Sequence, residues 1–392
     1  MSLIAGLVVS SLALAMACWN LRLYRPAPPA PPSGPDRAEA VPQRVCVCVP
    51  ARNEEANIGP CVRSLLDQRH AELIVLAYND QSTDGTGQAL ARLAESDARL
   101  RVVPTEGLPE GWNGKQWACD RMARSAAAAG SEWLLFTDAD VRFEPDAVAA
   151  ALRAARSGPE RLGLISTFPR QVTGTLAEAL VVPLIHFVLL SYLPLARMRA
   201  TRDPSASAGC GQFLLVLREA YLASGGHAGF RSSMHDGIRL PRAVRRAGYA
   251  TDLFDGTALC SVRMYRGLGQ VWRGFGKNAY EGLGSVTLLC VITAMHGLGH
   301  LWPWAAVALL GSGAVPAGGP TWWLAGAGVL VPMAERALLA ARFGQPWLGV
   351  ALHPLGVAML TAIQWWSLWL HLRGRRAWKG RVGGRVTAEA AA

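Results

Sequence analysis

The chain has 392 residues, of which 51% are hydrophobic, and it carries a formal charge of +11. This length accommodates one large α/β domain, and the hydrophobic share exceeds that of ordinary soluble proteins, so a membrane protein is expected. The charge does not indicate a nucleic-acid partner, because the arginines gather chiefly at the ends of apolar segments, as on cytoplasmic flanks. Eight cysteines occur without a CxxC pair or a histidine-paired cluster, which indicates reduced, core-filling thiols.

Residues 1–25 are predicted to form a membrane anchor helix, because a long apolar run precedes the first charge at Arg22. A cleaved signal peptide is the alternative, since Ala15-Met16-Ala17 resembles a cleavage site, although no Lys or Arg precedes the run. Arg22, Arg25 and Arg37 follow the apolar run. The positive-inside rule therefore places the next domain in the cytoplasm of a cell-membrane, multi-pass protein.

A proline-rich linker is predicted over residues 26–43, followed by an α/β domain over residues 44–283. The predicted elements are, in chain order, strand 45–49, helix 58–68, strand 73–77, helix 85–94, strand 102–103, helix 117–129 and strand 133–137. Strands that alternate with helices indicate a mostly parallel sheet flanked by helices. Ligands of such sheets bind beyond the carboxyl ends of the strands.

The C-terminal third is predicted to contain two or three transmembrane helices within residues 284–372, before a basic cytoplasmic tail at 373–392. An even number of crossings fits the basic tail best. The middle stretch carries Glu335 and Arg336 and is expected to be a tilted or incomplete span. A further apolar segment, 176–196, is interpreted as interfacial or re-entrant, because a single crossing would separate the polar motifs on either side of it.

Polar turns follow the first two predicted strands. Pro50, Arg52 and Glu54 come after the first strand, and Asp80 comes after the second. Such turns can hold a nucleobase and ribose through carboxylate and backbone hydrogen bonds. Helix capping by the segment Ser82-Thr83-Asp84 is the alternative interpretation.

Asp138 and Asp140 follow the strand at 133–137, where two carboxylates one residue apart crowd like charges at the sheet edge. A divalent cation, Mg²⁺ or Mn²⁺, would offset that repulsion and neutralise a departing diphosphate. The alternative is an ordinary surface Asp-x-Asp sequence, which is common.

Several other polar residues are candidates for contacts with the donor or the acceptor. Lys115 lies in a glycine- and tryptophan-containing loop before a helix, where amides and an ammonium can face an anion. Asp236 precedes the predicted helix 238–247 and can accept a hydroxyl proton, or can cap that helix. Gln270, Arg273 and Lys277 lie in a basic and aromatic stretch that can contact a diphosphate, or can anchor the chain at a membrane interface.

In this order the motifs resemble family 2 glycosyltransferases with the GT-A fold, over residues 45–283. The matching segments are Pro50-Ala51-Arg52-Asn53-Glu54, Asp80-Gln81-Ser82-Thr83-Asp84, Asp138-Ala139-Asp140, Asp236 and Gln270-Val271-Trp272-Arg273. Within the family, the chain is most similar to glycosyltransferases associated with carotenoid and hopanoid lipids. The segments that carry this similarity are Gly111-Trp112-Asn113-Gly114-Lys115, Arg263-Met264-Tyr265, Lys277-Asn278 and Trp378-Lys379-Gly380-Arg381.

The resemblance implies an inverting transfer of one sugar, with Asp236 as the base and a metal held by Asp138 and Asp140. The expected donor is a UDP-sugar, and the expected acceptor is a membrane lipid of the polyprenoid type. Three positions depart from the family pattern: Asn79, His235 and Gly274, the last in place of the Trp of QxxRW. Two alternatives remain open, a processive polysaccharide or glycolipid synthase and a catalytically inert membrane scaffold with the same fold.

Overall fold

A computed structural model describes residues 1–29, 43–158, 160–315, 318–378, 381–382 and 385–386. The chain divides into two compact units that interleave along the sequence. The sheet unit comprises Tyr24–Arg170, Ala196–Arg263 and Arg376–Ala392, and the helical unit comprises Met1–Leu23, Gln171–Leu195 and Met264–Arg375. Residues 176–195 and 264–283, which we predicted within the α/β domain, are thus grouped with the helices. Residues 30–42 of the predicted linker and half of the predicted basic tail at 373–392 lie outside the described residues.

The strands are, in chain order, β1 (Arg44–Ala51), β2 (Glu72–Asn79), β3 (Leu100–Val103), β4 (Trp133–Phe136), β5 (Val141–Phe143), β6 (Leu162–Ser166), β7 (Arg170–Gln171), β8 (Leu214–Leu217), β9 (Ala250–Leu253), β10 (Cys260–Val262), β11 (Ala377–Trp378), β12 (Arg381–Val382) and β13 (Arg385–Val386). The α-helices are α1 (Ser2–Leu23), α2 (Glu55–Leu66), α3 (Thr86–Ser96), α4 (Gly114–Arg124), α5 (Ala147–Arg156), α6 (Leu176–Val181), α7 (Leu184–Tyr192), α8 (Leu195–Ala200), α9 (Arg218–Ala223), α10 (Asp236–Arg246), α11 (Leu268–Gly276), α12 (Ala279–Leu283), α13 (Val286–His296), α14 (Trp302–Gly311), α15 (Gly319–Phe343), α16 (Trp347–Ala351) and α17 (His353–Leu372). A π-helical turn, Gly297–Leu301, joins α13 to α14.

The main sheet of the sheet unit has seven strands in the order β3-β2-β1-β4-β8-β6-β9. The pairs β3/β2, β2/β1, β1/β4 and β6/β9 are parallel, whereas β8 runs antiparallel to both β4 and β6. The predicted, mostly parallel sheet is therefore confirmed. The carboxyl ends of β2, β1 and β4 meet at one edge, so the polar loops that follow these three strands share that edge.

Strand β1 lies at the centre of this arrangement and is buried from Val45 to Ala51. Because the strand has no solvent-facing side, its sequence is a continuous apolar run rather than an alternating one. Cys46 and Cys48 are fully buried within it. All eight cysteines have free thiols, as the absence of paired spacings predicts, but Cys18 and Cys290 are exposed and do not fill a core.

Four helical segments of the described residues are long and apolar enough to cross a membrane: Ser2–Leu23, Val286–Gly311, Gly319–Phe343 and His353–Leu372. Small residues allow helices of this unit to approach closely. A Cβ atom added at Gly6 of α1 would lie 2.3 Å from the carbonyl oxygen of Leu298.

The segment 176–196 is broken in the structure, as its prolines indicate. Helix α6 ends at Val181, and Pro183 directly precedes α7. Its placement at a membrane surface stays a prediction. Helix α15 is continuous over 25 residues through Glu335 and Arg336. Its expected role as a tilted or incomplete span stays a prediction.

Candidate active site

The loops that follow β1 and β2 are tied to each other. Arg52 is buried, and its Nη1 donates to the carbonyl oxygens of Asp80 at 2.6 Å and Gln81 at 3.0 Å. The amide of Thr83 donates to Asn53 Oδ1 at 2.8 Å. Parallel pairing of β1 with β2 brings these residues together from two separate turns, as the sequence predicts.

Asp84 makes local bonds beside the start of α3, whose N-cap residue is Gly85. The Oδ1 of Asp84 accepts from the amide of Thr86 at 3.0 Å and from its hydroxyl at 2.5 Å. Asp80 is a separate case, because it is 1% exposed and its amide donates to the Ala51 carbonyl at 2.8 Å. These local bonds account for Asp84, and Asp80 remains a donor-binding candidate.

Asp138 and Asp140 follow β4 at the same sheet edge. Thr137 fixes the end of the strand, because its amide donates to the Cys48 carbonyl at 3.2 Å and its hydroxyl donates to the Gln212 carbonyl at 2.8 Å. The Oδ1 of Asp140 is buried and has no hydrogen-bond partner within the described part of the chain. Burial, followed by the negative charges of Asp138 and Glu54, raises the pKa of Asp140 to about 7.

Lys115 joins two of the predicted acids. Its Nζ lies 2.6 Å from Asp138 Oδ1 and 2.9 Å from Asp236 Oδ2. Burial opposes the charge of Lys115, but Asp138 and Asp236 outweigh this effect and hold its pKa well above the usual value. The ammonium therefore stays charged and links the strand-end acid to the start of α10.

The N-terminus of α4 holds Lys115 in position. Asn113 caps this helix, since its Oδ1 accepts from the Lys115 amide at 3.0 Å. The amide of Asn113 donates to the Arg231 carbonyl at 2.7 Å, and Gln116 Nε2 donates to the Ser233 carbonyl at 3.2 Å. These bonds connect the loop before α4 with the loop that leads to Asp236.

Asp236 is the first residue of α10, and its residue surface is 5% exposed. Its Oδ1 accepts from the Gly237 amide at 2.9 Å. Burial alone would raise the pKa of Asp236, but the charge and hydrogen bond of Lys115 outweigh burial, so that its pKa lies below the usual value. At neutral pH Asp236 is therefore a buried, ionised carboxylate, as a proton acceptor must be.

Close approach of the backbone to Asp236 requires glycine at position 211. A Cβ atom there would lie 2.3 Å from Asp236 Oδ1. Our sequence interpretation missed Gly211. The available signal was the Gly209-Cys210-Gly211 run directly before an apolar strand, a pattern typical of close backbone approach.

Gln270 and Arg273 lie on α11, and Lys277 follows as its C-terminal cap, all within the helical unit. Gln270 Oε1 accepts from the Arg266 amide at 2.8 Å. The assignment of these three residues to the donor stays a prediction.

A local contact explains why glycine occupies position 274, where the family pattern has Trp. A Cβ atom at Gly274 would lie 2.1 Å from the ring of Tyr265. The tyrosine therefore fills the space that a larger side chain at position 274 would need.

A buried acid that we did not predict organises the start of α11. Glu178 Oε1 accepts from the Thr175 hydroxyl and from the Gly267 amide, both at 2.7 Å, and Oε2 accepts from the Gly174 amide at 2.7 Å. Gly267 precedes α11 with a φ of 86°, which favours glycine. The signal in the sequence was the Thr-x-x-Glu capping box that begins at Thr175.

Within the described residues, no group of three or more His, Cys, Asp or Glu side chains is placed to hold a metal ion. The paired carboxylates of Asp138 and Asp140 nevertheless fit a divalent cation that retains waters and takes further ligands from a substrate. The unpartnered, buried oxygen of Asp140 is the observation that favours this fit.

Comparison with known proteins gives a family match and several similar proteins. Residues 46–222 match the family described as Glycosyl transferase family 2. The chain is 28% identical over 265 residues to 4,4'-diaponeurosporenoate glycosyltransferase of Staphylococcus aureus (strain USA300), an alignment that covers 67% of this chain and 66% of that protein. The protein of the same name from strain MRSA252 is 28% identical over 241 residues, which are 61% of each chain.

A solved structure shows the same fold. It is the mannosyltransferase PcManGT from Pyrobaculum calidifontis in complex with GDP-Man and Mn2+, with a TM-score of 0.57 and 20% identity over 94% of this chain and 99% of that chain. That likeness shows the GT-A fold. The match to the model of glycosyl transferase family 2 extends over residues 46–222.

Proposed function

We propose that this protein transfers a single sugar, with inversion, from a nucleotide-sugar donor to a membrane lipid of the polyprenoid type. The contact of Lys115 with both Asp138 and Asp236 carries the proposal, because it joins the donor side of the site to the acceptor base. The lipid acceptor rests on the apolar helices and on the Staphylococcus aureus relatives, whose name specifies a carotenoid acid.

In this mechanism the acceptor group is a hydroxyl or a carboxyl, and Asp236 accepts the proton of an acceptor hydroxyl. The acceptor oxygen attacks the anomeric carbon as the nucleoside diphosphate leaves. Lys115 keeps Asp236 ionised before the attack. Arg52 and Asp80 orient the nucleoside, and Gln270, Arg273 and Lys277 bind the diphosphate. Asp138 and Asp140 would hold a divalent cation, which would supply Lewis-acid stabilisation of the leaving group.

The experiment incubates purified protein in detergent with a panel of radiolabelled nucleotide sugars, Mn²⁺ and a lipid extract. A metal-dependent glycolipid is expected from one donor, with UDP-sugars as the first candidates. Asp236→Asn should retain donor binding in calorimetry but lose transfer by about 10²-fold or more. Asp97→Asn, a change in a surface ion pair with Arg99, is the matched control.

The same assay separates the alternative functions. A processive synthase yields a ladder of products, whereas single transfer yields one band. An inert scaffold yields no product and need not bind a nucleoside diphosphate. Equal activity of Asp236→Asn would contradict the assigned base.

A further inference from the structure

The helical unit contains a buried polar cluster that the proposed function does not use. The Arg336 cluster consists of Arg336, Glu335, Gln345, His186 and Ser191. Arg336 and Glu335 are both 0% exposed, although they lie within an apolar helix long enough to cross a membrane. Ionisable side chains at such positions are costly, and they commonly mark a functional site.

Arg336 makes no direct salt bridge within the cluster, although the charge of the neighbouring Glu335 attracts it. Its Nη1 donates to Gln345 Oε1 at 2.9 Å, and Gln345 Nε2 lies 3.3 Å from His186 Nδ1. The neighbouring acid, Glu335, accepts a hydrogen bond from the Ser191 hydroxyl. Across the residues that the structure describes, no ion pair joins Arg336 to Glu335 or to another carboxylate.

One edge of the guanidinium carries two unused donors. The Nε and Nη2 atoms of Arg336 are buried and lack hydrogen-bond partners among the described residues. These two N–H groups point from the same edge of the planar guanidinium, in the fork that matches the two oxygens of a carboxylate. A buried guanidinium with an empty fork is costly, and an anion that occupies the fork would remove that cost.

The surroundings of the Arg336 guanidinium favour a planar anionic group attached to an apolar chain. A Cβ atom at Gly349 of α16 would lie 3.9 Å from Arg336 Nη2 and 2.3 Å from the Ala179 carbonyl oxygen. Helices α16 and α6 therefore pack closely beside the guanidinium. This narrow setting suits a planar carboxylate better than a tetrahedral phosphodiester, and the apolar helices of the unit suit a hydrocarbon tail.

We propose that Arg336 binds the carboxylate of a long-chain apolar acid within the helical unit, with Nε and Nη2 donating to its two oxygens. The site is distinct in its residues from those assigned to sugar transfer. It requires neither a nucleotide sugar nor a metal, and its test is therefore independent of the proposed function.

The test titrates delipidated, full-length protein in detergent with oleate, with neutral methyl oleate and with phosphatidic acid, and it reads binding by native mass spectrometry and thermal shift. Oleate should bind and raise the unfolding temperature, whereas methyl oleate should not. Arg336→Gln should weaken oleate binding at least tenfold. Arg342→Gln, an exposed change on the same helix, is the matched control and should bind as the parent does.

Three results would overturn the proposal: equal binding of oleate and its methyl ester, unchanged affinity in Arg336→Gln, or binding of phosphatidic acid alone. If Arg336→Gln does not fold, Arg336→Lys is titrated instead, because it keeps the charge and loses the fork. Weaker oleate binding by Arg336→Lys supports the bidentate site, and unchanged binding contradicts it.

Discussion

Asp140 would need to be ionised to bind a metal, whereas its buried position favours the protonated form in the metal-free protein. Its folded-state pKa of about 7 lies above the ordinary value of 3.8, so the folded protein favours the protonated form. Ionisation therefore destabilises the metal-free fold increasingly as pH rises from 3.8 to about 7, and by a constant amount above that. We expect Asp140→Asn to raise the unfolding temperature in EDTA, with a gain that grows between pH 5 and pH 7 and then levels off.

Thermal unfolding in detergent across this pH range checks the prediction. Mn²⁺ at pH 8 should stabilise the parent protein more than Asp140→Asn, because only the parent keeps both carboxylates. Asp97→Asn is the control and should show no such gain, since Arg99 holds the pKa of Asp97 below its usual value. A stability gain that does not change with pH would contradict this account of Asp140.

Lys115 should control the pH at which Asp236 acts. Lys115→Met removes the charge that keeps the pKa of Asp236 low, and burial would then raise it. We expect transfer at pH 7 to fall by about 10²-fold or more, and the acidic limb of the rate profile to move to higher pH. Rates measured from pH 5 to pH 9 check this, with Lys115→Arg as the charge-retaining comparison. A uniform loss without a shifted limb would assign Lys115 to donor binding alone.

Sequence motifs identified the acidic residues of the site but not the residues that make room for them or orient them. Asp138 could be predicted because a carboxylate directly after a strand points to chemistry, and Asp236 because it lies in a polar loop at the start of a helix. Gly211 was missed because its role depends on a contact with Asp236, 25 positions further along the chain. Glu178 was missed because it lies in a segment that we interpreted only by its hydropathy.

At the level of single elements, α11 explains one departure from the family pattern. Because Tyr265 fills the space beside Gly274, Gly274→Trp should overpack this position and destabilise the protein by about 1–3 kcal/mol or more. The double change Tyr265→Gly with Gly274→Trp should recover part of the loss. Thermal unfolding of the two variants, with Tyr265→Gly alone as the reference, tests this pairing. Additive effects of the two substitutions would show that the residues do not compete for space.

Glu178 should act on the donor through the start of α11. Glu178→Gln keeps the size of the side chain but replaces one accepting oxygen with an amide NH2 group. This change disrupts charge-assisted hydrogen bonds worth about 1.5–3 kcal/mol. If Arg273 binds the donor, Glu178→Gln should raise the KM for the donor by about tenfold and change kcat less. Steady-state kinetics check this, with Glu106→Gln on an exposed ion pair as the control. A lower unfolding temperature with an unchanged KM would indicate a purely structural role.

Element types followed from periodicity more reliably than element ends did. The strand predicted at 133–137 is β4, and the helix predicted at 85–94 is α3. The helix predicted at 117–129 instead begins at Gly114, because Asn113 caps it, and ends at Arg124. Capping and tertiary contacts set such boundaries, and apolar spacing does not report either of them.

For the whole molecule, local pattern indicated the classes of segment but not how they assemble. The sequence order suggests an α/β domain followed by helices, whereas the compact units interleave, since residues 171–195 group with the C-terminal helices. Gly349 and Gly356 show why, because a Cβ atom at either position would lie within 2.6 Å of a carbonyl oxygen of α6. Packing between segments more than 150 residues apart has no local signature in a single sequence.

The number of membrane crossings can be tested with reporters. The apolar helices of the described residues include three after residue 283, and three crossings from a cytoplasmic domain would leave the basic tail outside. The positive-inside rule favours two crossings instead, with the tail in the cytoplasm. We therefore expect a reporter fused after Arg37 and a reporter fused after residue 392 to lie on the same side of the membrane, in the cytoplasm. Two reporters are fused at each site, one that is active only outside the cytoplasm and one that is active only inside it. Their activities report the side of the membrane directly. Opposite sides would establish an odd number of crossings and contradict this prediction. An external Arg37 fusion would place residues 46–222 away from cytoplasmic nucleotide sugars and contradict the proposed function.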